Sequence, residues 1–198
     1  MKKYILFVFM LLLSIKINSQ EKEHLSVFET DSTWMKEIIE FPIGFAQDIK
    51  YEGFEDLRFP QGWSKQDSPN FWSYVWAWSI NGIDEPTESE LETNVQFYFD
   101  GLLGLDFYKI DEKPVPKTNA VFVKKEISKD NIQFIGNVKT FDTRYRKQPM
   151  TLNVLVEIYY CNQTEKTIMV FRYSPKPFEN DVWNTLKSVK LIDDVCKR

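Results

Sequence analysis

The chain has 198 residues, 25 basic and 29 acidic, giving a formal charge of −4, and 16% of its residues are aromatic. That length suits one domain able to bury a core, and an acidic chain repels phosphate backbones, which argues against nucleic acid as a partner. One histidine and two cysteines are too few for His-rich zinc or iron sites or a zinc knuckle.

Residues 1–19 have the layout of a signal peptide. Lys2 and Lys3 precede an apolar run from Tyr4 to Leu13, Lys16 closes it, and Ser19 suits the position before the cut. The run is too short to span a bilayer, and no later segment reaches that length. No cysteine follows it, so a lipid anchor is not expected. The expectation is a soluble chain exported to the periplasm or beyond. Cleavage would remove three lysines and no acid, taking the charge from −4 to −7. Cys161 and Cys196 then meet an oxidising compartment, where a disulfide and two free thiols both remain open.

Residues 20–198 read as a single domain, with 20–33 a mobile lead-in lacking any period. Trp34 to Phe41 fits a strand or a helical turn, ended by Pro42 and Gly44. Residues 49–59 are extended, interrupted at Gly53, and Pro60 to Trp63 form a turn. The stretch FWSYVWAWSI, residues 71–80, puts Trp72, Tyr74, Trp76 and Trp78 at alternate positions with Ser73, Val75, Ala77 and Ser79 between them. In a strand the four rings share one face, as core or as a ligand platform.

Thr87 and Glu90 make a capping box. Leu91, Val95, Tyr98 and Leu102 recur at helical spacing to about Leu103, and Gly101 and Gly104 weaken that end. After a stiff Lys113–Lys117 connector, strands are expected over 120–127, 132–141, 152–160 and 166–173. A last helix carries Val182, Leu186 and Val189 on one face. This order predicts an α+β domain: a largely antiparallel sheet of about six to seven strands, with two amphipathic helices packed on one face. A lipocalin-like barrel is disfavoured by the helix within the strand series, and a nuclear-transport-factor-like cone would want its helices first.

His24, in the lead-in, is poorly placed for a rigid catalytic base. No phosphate loop, dinucleotide fingerprint or EF-hand is present, so no cofactor or metal is expected. Carboxylates remain. Glu55 and Asp56, near Arg58 and Trp63, are what a glycosidase would need if they met across a substrate, although strand alternation turns Glu55 away from Asp56 and Arg58. The plainer reading is an exposed edge-strand ion pair. Asp100 is a second acidic candidate, with a solvated helix end as its plainer reading. The basic loop Thr143–Lys147 fits an anionic partner, or simply a solvated connection.

Phe45-Ala46, Gly53-Phe-Glu55-Asp-Leu-Arg58-Phe59, Gly62, Trp72-Ser-Tyr74 and Tyr98-Phe-Asp100-Gly101-Leu102 form a pattern that resembles a family of exported bacterial proteins. It spans about the first half of the mature chain. The resemblance implies a shared fold and carries no activity or catalytic residue. The functional expectation is a non-catalytic domain binding a ligand or an envelope protein, with Arg58, Trp63, Trp72, Trp76 and Trp78 as candidate ligand-binding residues. The alternative is a carboxylate-dependent hydrolase of an envelope glycan using Glu55 and Asp56.

Overall fold

The computed structural model describes residues 26–82, 84–128 and 131–197. The stretch expected to be a signal peptide, residues 1–19, and His24 lie outside the described residues. The chain runs β1 (Phe28–Glu29), β2 (Met35–Glu40), β3 (Gly53–Phe59), β4 (Tyr74–Asn81), α1 (Glu88–Leu103), β5 (Lys109–Ile110), β6 (Lys113–Pro114) and β7 (Asn119–Ser128). It continues with β8 (Asn131–Asp142), β9 (Gln148–Cys161), β10 (Lys166–Ser174), α2 (Val182–Ser188) and β11 (Lys190–Leu191). Seven strands form one antiparallel sheet in the order β2-β3-β4-β10-β9-β8-β7. The class is α+β, as expected. Among the described residues no helix is long and apolar enough to cross a membrane.

The helix start follows its sequence signal: Glu90 N–H donates to Thr87 Oγ1 at 3.2 Å, and Thr87 N–H to Glu90 Oε2 at 2.8 Å. Gly104, in the left-handed region, ends the helix. Gly101 serves a different purpose within α1. A Cβ there would lie 1.8 Å from the Phe45 carbonyl oxygen, so only glycine lets the 41–49 segment cross the helix this closely.

α1 takes the ring face. Trp76 lies 4.6 Å from Tyr98 and 4.3 Å from Tyr173 of β10, and Trp78 lies 4.8 Å from Phe171. Trp76 and Trp78 are fully buried, so they are core. The two helices do not share a face, which corrects the sequence expectation. Val182, Trp183 and Leu186 of α2 pack with Val75, Ala77, Ile168 and Val170, the residues that alternate with the rings. The reason is visible in β10, whose Thr167–Ser174 stretch is buried on both sides; a central strand apolar on both faces needs a cover on each. Arg172 holds α2 there by donating to the Leu186 and Val189 carbonyls at 3.2 Å each.

Side-chain contacts tie the start of the described chain to the sheet, while residues 20–25 of the expected lead-in lie outside the described residues. Val27 N–H donates to Asp56 Oδ2 at 2.9 Å, Arg58 donates to Asp56, Ser26 and Thr30, and Phe28 is buried beneath the Arg58 guanidinium. The Asp56–Arg58 pair is therefore buried on an interior strand, not exposed at an edge. β1 pairs with β11, joining the two ends of the described chain across this face. Cys161 and Cys196 are bonded, with α-carbons 4.8 Å apart.

The β7 edge is blunted from α1. Glu88, Glu92 and Asp100 accept the backbone N–H groups of Lys124, Phe122 and Thr118 at 2.7, 3.0 and 2.8 Å, which denies that edge to another strand. Asp100, with Lys117 3.3 Å away, is thus a structural edge cap.

Closing a loop between residues 35 positions apart stabilises by about 4 kcal/mol on the chain-entropy account. Cys196→Ser is expected to lower the unfolding free energy by about 2–4 kcal/mol in urea titrations. An unchanged midpoint would show that the bond contributes nothing.

Candidate functional site

The ring face carries a cavity of about 260 Å³ between the sheet and α1. The sheet supplies Ile39, Leu57, Phe59 and Tyr74; Phe45, Tyr98 and Leu102 come from the helix side. Trp63 and Trp72 close one end, with Glu37 and Arg144 also lining it. Pleating explains the sheet's part: Leu57 pairs with Trp76 and Glu37 with Leu57, so all three face the same way.

Trp72 does not continue the aromatic strand. β4 begins at Tyr74, and Trp72 has φ 52, a left-handed conformation that is an outlier for a bulky residue and costs on the order of 1–3 kcal/mol. Two contacts hold it. Its backbone N–H donates to the Trp63 carbonyl at 2.8 Å, and its Nε1 donates to the buried Asp142 carboxylate at 3.2 Å.

Asp142 organises this corner. It also accepts the backbone N–H groups of Arg144, Tyr145 and Arg146 at 3.0, 2.9 and 2.9 Å, folding the basic loop around one carboxylate. Arg144 donates to the Leu102 carbonyl at 2.7 Å and is thereby directed to the cavity. Arg146 instead lies over Phe71, 4.4 Å from its centroid, and Lys147 bonds the Thr143 carbonyl. Sequence reading passed over Asp142. Its signal was an aspartate at a strand end followed by a short polar loop, the setting of an Asx turn.

Behind the cavity wall lies Glu55, fully buried, with Trp78 Nε1 donating to its Oε1 at 3.3 Å. Burial pushes its carboxyl up to about 8; hydrogen bonds from Tyr98 and Trp78 pull it down, and Glu37 and Asp56 push it further up. At neutral pH it is mainly the uncharged acid. Glu55 Oε2 and the Tyr74 and Tyr173 hydroxyls have no hydrogen-bond partner among the described residues. Burial of Tyr74 and Tyr98 holds both hydroxyls well above the usual phenol range, so they stay protonated.

The structure divides the sequence candidates. Trp63 and Trp72 line the cavity, Trp76 and Trp78 lie wholly within the core, and Arg58 sits on the opposite face over the Phe28 ring. Glu55 and Asp56 also point to opposite faces. Asp56, whose carboxyl burial raises and Arg58 lowers, is engaged by Arg58 and Val27, so the two carboxyls do not meet across one substrate. Among the described residues no three His, Cys, Asp or Glu side chains gather as a metal site would. No known protein family, curated protein or solved structure matches the chain.

The Glu55 carboxyl carries a pH dependence. Its ordinary value is 4.5, and folding raises it to about 8, so the folded chain binds this proton more tightly. Stability relative to Glu55→Gln is therefore fullest below about pH 4.5, falls as pH rises towards 8 and then levels. At ~1.4 kcal/mol per pH unit the loss across that window is on the order of 4–5 kcal/mol. Denaturant midpoints of the wild type and E55Q are expected to diverge from pH 5 to 8; parallel curves would rule out a buried acid that titrates this way.

Proposed function

We propose that this chain is an exported, non-catalytic binding domain whose small ligand occupies the ring-lined cavity. One observation carries the reading: a cavity of about 260 Å³ on the ring face is walled mainly by apolar and aromatic side chains, Leu57, Phe59, Trp63, Trp72 and Tyr74 among them, with Glu37 and Arg144 also in its lining. The strained Trp72 in that wall supports the same reading, since strain of this kind concentrates at ligand sites. The apolar walls ask for a mainly apolar ligand with few polar groups. Export is supported by the Lys-flanked apolar run at the N-terminus and by the Cys161–Cys196 bond.

The hydrolase alternative retains one observation, the neutral Glu55 acid. Its would-be partner Asp56 faces away, and Glu55 lies behind Tyr98 and Trp78 rather than on the cavity wall. Binding is the better-supported reading.

p-Cresol, an apolar ring with one hydroxyl, tests it by tryptophan fluorescence. A saturable change is expected in the wild type, weakened about tenfold or more, some 1.4 kcal/mol, in Ile39→Phe, which adds bulk to the cavity wall. A linear, non-saturating response would remove the cavity as the site.

A further inference from the structure

The cavity has two charged residues in its lining, and they do not neutralise each other. Glu37 approaches from β2, at one edge of the sheet, and Arg144 from the loop after β8. No ion pair joins them among the described residues. Both side chains are exposed, while the groups beside them in the cavity are mostly apolar.

Arg144 is preset rather than free to swing. Asp142 fixes its backbone at 3.0 Å, and one guanidinium nitrogen donates to the Leu102 carbonyl at 2.7 Å. The rest of its planar donor fork remains for a carboxylate. A ligand with only negative charge would also meet the Glu37 carboxylate, and one with only positive charge would meet the Arg144 guanidinium. A ligand carrying both signs together with an apolar group matches the whole lining.

We infer that the cavity binds a free amino acid with an apolar side chain. Its α-carboxylate pairs with Arg144, its α-ammonium with Glu37, and its side chain enters among Leu57, Phe59, Trp63 and Trp72. The size agrees. About 260 Å³ lies just below the ~300–1,000 Å³ of drug-sized sites, the scale of one amino acid. This inference rests on the cavity being a ligand site and adds the ligand's chemistry.

Calorimetry separates the two levels. L-Phenylalanine is titrated against 3-phenylpropionate, which lacks the ammonium, and 2-phenylethylamine, which lacks the carboxylate. In the wild type L-phenylalanine is expected to bind at least about tenfold tighter than either. Glu37→Gln should abolish its advantage over 3-phenylpropionate, and Arg144→Gln its advantage over 2-phenylethylamine. Circular dichroism confirms that both exposed-site variants are folded, and the wild-type comparison needs neither of them. If the singly charged analogues bind as tightly as L-phenylalanine, the amino-acid inference fails while the cavity remains a ligand site. If p-cresol binds and L-phenylalanine does not, it fails in the same way. If neither p-cresol nor any of the three binds, the cavity reading fails with it.

Discussion

The Trp76 indole is the contact on which the rest of the structure depends. It lies between Tyr98 of α1 and Tyr173 of β10, 4.6 and 4.3 Å from their ring centres, and so sets where the helix sits on the sheet. Rings of this size dominate core energetics by the apolar area they bury. With α1 fixed there, Gly101 meets the Phe45 carbonyl and the acidic stripe of Glu88, Glu92 and Asp100 reaches the β7 backbone. Leu102 falls beside the cavity. One packing decision thus seats the helix, blunts an edge and shapes a site.

The two faces of the sheet do different work. The face holding Val75 and Ala77 is closed by α2 and by the β1–β11 pair, and its buried Asp56–Arg58 ion pair anchors Ser26, Val27 and Thr30. The ring face is richer in polar handles because its rings are mostly tyrosine and tryptophan. Among the described residues Trp76 Nε1 and the Tyr74 and Tyr173 hydroxyls have no hydrogen-bond partner, and Glu55 sits among them with its carboxyl pushed up by burial. Polar atoms left this way cost stability. They gather on the face that carries the cavity, which is where a fold would be expected to give up stability for binding.

Much of the architecture was legible because it depends on local periods. Alternation marked β4 and β9, and the Thr87–Glu90 box marked the start of α1. Misreadings arose where long-range partners overrode local pattern. Trp72 keeps the strand's two-residue spacing, yet Trp63 and Asp142 hold it in a left-handed turn. Residues 26–30 carry no period because side chains about thirty positions away hold them. Asp100 suggested an acid at a solvated helix end, whereas it caps the edge of a strand that follows it in the chain.

Alone, the sequence determined which residues share a face. Backbone geometry ties side-chain direction to position in a strand or helix, so it separated Glu55 from Asp56 and Arg58 and set the rings apart from Val75 and Ala77. It could not determine what covers each face, because that depends on elements distant in the chain competing for the same apolar surface. Only the tertiary structure decided that α1 buries Trp76 and Trp78 while α2 takes the opposite side. That same choice places Trp63, Trp72 and Tyr74 in the lining of a cavity, beside Tyr98 and Leu102 of α1. The stretch FWSYVWAWSI is therefore core at Trp76 and Trp78 and site wall at Trp72 and Tyr74, a division its own alternation does not mark.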